Sequence, residues 1–273
     1  MLDQLPHGGA SRTSLDLGKT ETTVFMQEDR VRLSDEATVS LDELRMIAEC
    51  DDAVFALREG ALEKLLYYSE ATRRTYKLRP TPDWPALDIS GILMHRIKGT
   101  TPKRDAEAKL RLASPVRGAV LDTCMGLGYS AILAAESADS VTVIEKDENV
   151  WEMARRNPFS RSLFQEPKIT HIRGDAAEVV AGFGGAAFDL VNHDPPTLSV
   201  AGELYSDAFY AHMRRILKPG GTFLHYTGAP GRRGKRMDLA ASVTRRLGRA
   251  GFVKIRNDRG TSCVVAARPR GGR

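Results

Sequence analysis

The chain has 273 residues, 42% of them hydrophobic, and a formal net charge of +5, enough apolar material for one large domain or one domain with a smaller appendage. No run approaches the roughly 20 apolar residues of a membrane span, and the opening MLDQLPHGG has no basic segment followed by an apolar one. Three scattered cysteines, Cys50, Cys124 and Cys263, suit neither a disulfide framework nor a metal site, so a cytoplasmic protein without a structural metal is expected.

Residues 1–14 are polar and read as a loose tail. Thr22–Met26, Val31–Leu33 and Thr38–Ser40 then read as short strands separated by turns, one of them at Ser34-Asp35, in a small antiparallel sheet. From Leu41 to Glu49 the spacing is helical, with Ser40 as cap and Glu43 in the capping-box position. Val54–Leu57 and Leu62–Tyr68 suggest a hairpin about Glu59-Gly60, although the second segment also suits a helical turn. Pro80, Pro82 and Pro85 cannot continue a regular element, which predicts a seam: a small β-rich domain over 1–86 and a second domain over 87–273. Lys103 to Ala113 predicts a helix, and His95 and Arg96 before it are candidates for lining a site.

From Gly118 the pattern is doubly wound. Apolar runs at Ala119–Leu121, Val141–Ile144, Ile169–Ile172, Phe188–Asn192 and Thr222–Tyr226 alternate with helical segments, among them Ser206–Leu217. Leu217-Lys-Pro-Gly-Gly221 predicts a helix stop and a turn. After a helix from about Asp238 to Ala250, the segments Gly251–Arg256 and Thr261–Ala267 are one short turn apart, so they run antiparallel. The expected fold is α/β: a doubly wound, seven-stranded, mostly parallel Rossmann-like sheet with its last strand antiparallel, preceded by the β-rich domain.

Ligands of such a sheet lie beyond the C-terminal strand ends, where this chain places Asp122, Glu145, Asp175, Asp194 and Tyr226. Gly126 and Gly128 permit positive φ and leave room against the main chain beside a helix N-terminus. A carboxylate about 20 residues on suits a ribose diol; Glu145 is the candidate, with Asp147 its nearest competitor. Spacing alone leaves a nicotinamide dinucleotide in play, because alanine, here Ala131, is tolerated at the last position of G-x-G-x-x-G.

Asp122-x-Cys124-x-Gly126-x-Gly128 resembles motif I of the class I S-adenosylmethionine (SAM) dependent methyltransferases, with Cys124 where that family has its first glycine. The resemblance implies SAM as cofactor, with Asp122, Cys124, Gly126 and Gly128 at its amino-acid end. It further implies Glu145 at the ribose, and Asp175 with the amide of Ala176 at the adenine. Asn192-His-Asp194-Pro195-Pro196 resembles the D/N-P-P-aromatic motif of methyltransferases that modify exocyclic amines of bases. That likeness implies that Asp194 orients an acceptor nitrogen on a chain fixed by Pro195 and Pro196. Thr197 stands where those enzymes carry an aromatic ring; Tyr205, Phe209 or Tyr210 could supply one, and Tyr226 is a further substrate candidate.

Glu203 to Tyr210 followed by LKPGG, with a β-rich N-terminal part, resembles spermidine-synthase-like enzymes. This implies an alternative, aminopropyl transfer from decarboxylated SAM to a polyamine, with Glu203 and Asp207 against its ammonium groups. The whole chain most resembles uncharacterised predicted methyltransferases of archaeal type in that group, through LDTCMGLGYSA, HDPP and ISGILMHR. Whether the acceptor is a small amine, a protein or RNA stays open, as does assembly into a homo-oligomer. Residues 218–273 hold 14 Lys or Arg against two acids, and Arg232, Arg233, Lys235 and Arg236 crowd one loop. A nucleic-acid-binding protein with a vestigial cofactor fold is therefore the non-catalytic alternative, whereas Arg245, Arg246 and Arg249 read equally as a solvated helix face.

Overall fold

The computed structural model describes residues 9–34, 37–228 and 239–271. The turn at Ser34-Asp35 lies partly outside them, and the basic loop over 230–236 and the helix start at Asp238 lie wholly outside. Two compact units divide the chain: Met1–Pro102 with Arg155–Phe159, and Lys103–Ala154 with Ser160–Arg273.

In the first unit, β1 (Ala10–Thr13), β2 (Thr22–Gln27), β3 (Arg30–Ser34) and β4 (Ala37–Ser40) form an antiparallel sheet in chain order. Side chains alternate between faces along a strand, so Val24 and Met26 share one face and pack with Val31 and Val39. Helix α1 (Leu41–Ala48) starts at the expected capping box: Ser40 Oγ accepts the Glu43 amide at 3.2 Å and Glu43 Oε2 accepts the Ser40 amide at 2.7 Å, a cap contributing about 1 kcal/mol. Strands β5 (Phe55–Arg58) and β6 (Ala61–Lys64) make a hairpin, and β7 (Leu66–Ser69), β8 (Arg74–Arg79), β9 (Ala86–Ile89) and β10 (Ile92–Leu93) a second antiparallel sheet. The segment from Leu62 is thus extended, and Tyr67 on β7 stacks on Tyr76 of β8.

The prolines do not mark the division between units. Leu87 on β9 pairs with Leu78 on β8, so Pro80, Pro82 and Pro85 occupy the loop between two paired strands, and the first unit continues to Pro102. A proline run ends strand pairing because it lacks N–H donors; it need not end a domain.

The second unit opens with α2 (Pro102–Arg111) and then winds β11 (Ala119–Asp122), α3 (Tyr129–Ala135), β12 (Ser140–Glu145), α4 (Glu148–Arg156), α5 (Arg161–Gln165), β13 (Ile169–Arg173), α6 (Ala176–Gly182), β14 (Phe188–His193), α7 (Asp207–Ile216), β15 (Leu217–Tyr226), α8 (Leu239–Arg249), β16 (Val253–Asp258) and β17 (Cys263–Ala267). The sheet order is β13-β12-β11-β14-β15-β17-β16, with β17 antiparallel to both neighbours. Central strands covered on both faces read as continuous apolar runs, and Val120, Leu121, Val141, Val143 and Ile144 are buried accordingly.

Helix α7 begins where Ser206 Oγ accepts the Phe209 amide at 3.1 Å and buries Phe209, Tyr210, Met213 and Ile216. Strand β15 is bounded by Leu217, but Lys218 to Gly221 stand opposite Asp189 alone, between the pairs Phe188–Leu217 and Leu190–Thr222, and Gly220 has φ +83°, so the chain turns within LKPGG before regular pairing resumes at Thr222. Strand order reverses between β11 and β14, the switch point at which ligands of open α/β sheets bind. Among the described residues no helix is long and apolar enough to cross a membrane.

Candidate active site

At the end of β11 the Met125 amide donates to the Ile144 carbonyl at 2.9 Å, and the Gly128 amide closes the turn on the Met125 carbonyl at 2.8 Å. The two glycines differ in purpose. A Cβ on Gly126 (φ +55°) would meet nothing within 4 Å, whereas one on Gly128 (φ +77°) would lie 2.6 Å from the Leu163 side chain. Gly126 keeps the outer side of the turn open, and Gly128 lets α3 start tight against α5.

Asp122 lies beneath this turn, buried. Its oxygens accept the Ser130 hydroxyl, the Asn192 amide nitrogen at 3.2 Å and the Cys124 amide at 3.3 Å, so it braces strand, turn and helix together. Burial pushes its pKa up to about 6 against the pull of those donors. Beside it, Glu145 accepts the Gly126 amide at 3.2 Å and the Asp147 amide at 2.9 Å, and burial raises its pKa to about 7. Burial, with the charges of Glu145 and Asp122, pushes the Cys124 thiol well above its ordinary value, which leaves it a poor nucleophile.

Asp175 follows β13, one strand further out. It caps α6 by accepting the Ala177 amide at 2.9 Å and receives Lys146 Nζ at 2.9 Å. Burial works against ionisation there, but Lys146 and the amide outweigh it and hold the carboxyl below its usual value. Ala176 is the first residue of α6 and is buried. The Gly174 amide donates to the Glu145 carbonyl at 3.2 Å, so Asp175 and Glu145 end adjacent strands on the same edge of the sheet.

On the other side of β11, Asp194 follows β14. Lys109, from α2, reaches Asp194 Oδ2 at 2.7 Å and Asp105 Oδ2 at 2.8 Å, and its Nζ lies 3.9 Å from the Tyr226 ring centroid. Although burial acts against it, the two carboxylates raise the Lys109 pKa and keep the ammonium charged. Lys109 escaped the sequence reading: Asp105 and Lys109 form an i,i+4 pair that normally lies on a solvated helix face, and nothing local points to a carboxylate 85 residues away.

The segment after Asp194 is clasped from below. Pro195 is buried and Pro196 exposed, and the Pro196 carbonyl accepts the Tyr205 hydroxyl at 2.9 Å. His193 Nε2 lies 3.1 Å from the Leu204 carbonyl; a carbonyl can only accept, so Nε2 carries the proton and Nδ1 accepts the Thr123 hydroxyl at 2.6 Å. By the same reasoning His225 Nδ1 donates to the Tyr226 carbonyl at 2.9 Å and Nε2 accepts the Tyr210 hydroxyl at 3.0 Å. Burial drives both imidazoles to the neutral form, His225 down to about 3.

These contacts correct the expected roles of the aromatic residues. Tyr210 is fully buried on the core face of α7, with Phe209 beside it, and packs inside the sheet-helix layer rather than against a substrate. Tyr205, 3% exposed, props the loop through its hydroxyl. Tyr226 remains at the strand end, beneath Lys109. Asp207 faces Arg249 at 3.0 Å and Glu203 lies 4.0 Å from Lys146. Arg246 donates to the Tyr205 carbonyl at 2.8 Å, so Arg246 and Arg249 anchor α8 rather than only meeting solvent. In the first unit His95 Nδ1 accepts the Leu87 amide at 3.2 Å.

A family model described as a methyltransferase domain matches residues 120–221, from β11 through the LKPGG segment. An uncharacterised protein of Methanocaldococcus jannaschii is 40% identical over 261 residues, covering 94% of this chain and 89% of that protein. Putrescine N-methyltransferase 4 of Nicotiana tabacum is 24% identical over 168 residues, 59% of this chain and 43% of the plant enzyme. A crystal structure of spermidine synthase in complex with the transition-state analogue AdoDATO has a TM-score of 0.61 at 21% identity, over 80% of each chain, a likeness of fold. With its glycine turn, the acids at successive strand ends and the reversed last strand, the chain belongs to the class I SAM-dependent methyltransferases and has a spermidine-synthase-like fold.

Proposed function

We propose that this methyltransferase transfers the methyl group of SAM to the nitrogen of a small amine, with Asp194 orienting that nitrogen. The observation that carries this reading is the state of Asp194. Lys109 pins Oδ2, the side chain is 34% exposed, and among the described residues no hydrogen bond reaches Oδ1. A fixed carboxylate with one open oxygen can accept an amine N–H and so aim the nitrogen lone pair. The name of the Nicotiana relative, a putrescine N-methyltransferase, supports a small amine over a macromolecule.

The residues of the turn fit SAM. Gly126 leaves space that any Cβ would fill, and Asp122 and Glu145 are held by neutral donors, so their charge is available to a cationic ligand. In this reading Asp122, Cys124, Gly126 and Gly128 hold the amino-acid end, Glu145 the ribose, and Asp175 with the Ala176 amide the adenine. Bound SAM supplies a methyl group already activated on a sulfonium. The protein's task is then largely positional, and a nucleophile misplaced by about 1 Å loses on the order of 100-fold in rate. Pro195 and Pro196 stiffen the backbone at Asp194, and Tyr205 and His193 hold the loop that follows.

The spermidine synthase fold favours a second reading, aminopropyl transfer from decarboxylated SAM. Methyl-labelled SAM incubated with n-butylamine, putrescine and spermidine separates the two. Label is expected in an amine, with kcat at least about 100-fold lower in Asp194→Asn. Aminopropylated product from decarboxylated SAM, with no label transferred from SAM, would overturn the proposal.

A further inference from the structure

Lys109 occupies a position that a substrate cation could claim. Its Nζ contacts Asp194 Oδ2 at 2.7 Å, Asp105 Oδ2 at 2.8 Å and the Tyr226 ring at 3.9 Å from the centroid. An ammonium has three N–H donors; here two meet carboxylates while an aromatic face takes up the remaining charge, the arrangement by which proteins bind alkylammonium groups. The two carboxylate oxygens are no further apart than those two Nζ distances together. A cage of two acids and a ring, 9% exposed at the lysine, would receive the distal ammonium of a diamine as readily as a side chain. A side chain, however, is tethered, with an effective concentration of about millimolar or more.

Among the described residues no hydrogen bond reaches Asp194 Oδ1, which leaves that carboxylate one acceptor for an incoming nitrogen. The cluster therefore matches one further nitrogen. A second ammonium on the same substrate would meet Lys109 as a like charge.

We propose, building on the amine-methyltransferase reading, that Lys109 is a specificity-determining residue: it fills the cage as a built-in ammonium and restricts the acceptor to molecules that present one amine nitrogen, excluding diamines.

The test compares n-butylamine with putrescine, which share a four-carbon chain and differ by one nitrogen, by calorimetry at pH 8 with saturating S-adenosylhomocysteine. Wild type is expected to bind n-butylamine at least as tightly as putrescine. Lys109→Ala should shift the ratio at least tenfold towards putrescine, while Lys109→Arg keeps the wild-type ratio. A merely structural role would lower the melting temperature without moving the ratio, so an unchanged ratio in a cooperatively melting Lys109→Ala overturns the proposal. Wild type favouring putrescine tenfold overturns it without any variant, should Lys109→Ala not fold. If wild type binds neither amine, the small-amine reading fails by itself. In that case a putrescine-dependent rise in the melting temperature of Lys109→Ala still supports the cage, and its absence overturns the cage too.

Discussion

Lowering the pH from 8 to 6 is expected to weaken S-adenosylhomocysteine binding about tenfold through Glu145, the proposed ribose acceptor, whose pKa burial raises to about 7. Ribose hydroxyls donate, so both can bind only the ionised carboxylate. At pH 8 about ten in eleven of these side chains are ionised and at pH 6 about one in eleven, a difference of roughly 1.4 kcal/mol. Binding at pH 7 should then release about half a proton, as the ligand draws the equilibrium to the anion. Calorimetry at pH 6, 7 and 8, in two buffers of different ionisation enthalpy, reads both quantities. Glu145→Gln should lose affinity at pH 8 and lose the dependence centred on pH 7, leaving a shallower fall near pH 6 from Asp122, which burial raises to about 6. Wild-type affinity that stays flat from pH 6 to 8, or a Gln variant with the full dependence, would refute the assignment.

Two further expectations concern stability. His225 has a folded pKa of about 3 against 6.5 for the free side chain, so the unfolded chain takes up the extra proton between those values and stability falls as pH drops below 6.5, by about 1.4 kcal/mol per unit. Glu145 and Asp122, raised on folding, act in the opposite sense in part of that window; the difference in urea stability between wild type and His225→Gln from pH 5 to 6.5 isolates the histidine, and parallel slopes would refute its role. Gly128→Ala should cost about 2–4 kcal/mol, from overlap with Leu163 and left-handed backbone strain. Gly126→Ala, with open space around it, should cost about 1 kcal/mol of stability yet weaken S-adenosylhomocysteine binding, and cofactor affinity equal to wild type would count against an open turn that receives the ligand.

The parts of the fold that local chemistry dictates were legible. Ser40 with Glu43 announced the start of α1, Ser206 that of α7, and the acids after successive apolar runs sit on one sheet edge because parallel strands all end on the same side. What failed depended on distant partners or on weighing two local signals. Pro80 to Pro85 resembled a division between domains because the pairing of Leu78 with Leu87 across the loop is not written in either segment. Tyr210 was sought as a stacking ring, yet Phe209, Tyr210, Met213 and Ile216 already had the spacing of a buried helix stripe, the better guide. Lys109 was invisible because its meaning lies in Asp194, which only folding brings to it. The roles proposed for Asp122 and Glu145 followed from motif spacing; their protonation balance follows from burial, which spacing does not convey.

The four strand-end acids are compensated unequally. The outer pair each meet a lysine: Asp175 meets Lys146 and Asp194 meets Lys109. Among the described residues the inner pair, Asp122 and Glu145, accept hydrogen bonds only from hydroxyl, amide and backbone donors, and both have raised pKa values. Negative potential is therefore concentrated over the ends of β11 and β12, beside the open side of Gly126, and is partly offset by a lysine on either flank. A sulfonium that also bears an ammonium group suits that distribution, because it brings the positive charge that the inner acids lack and favours their ionised forms. A lysine hydrogen-bonded to Glu145, as Lys146 is to Asp175, would have favoured the carboxylate at the cost of repelling such a ligand. On the acceptor side the opposite is needed, since an amine attacks only as the neutral base. Lys109, by offsetting Asp194, lets that carboxylate aim an N–H without drawing the amine so strongly into its protonated, unreactive form.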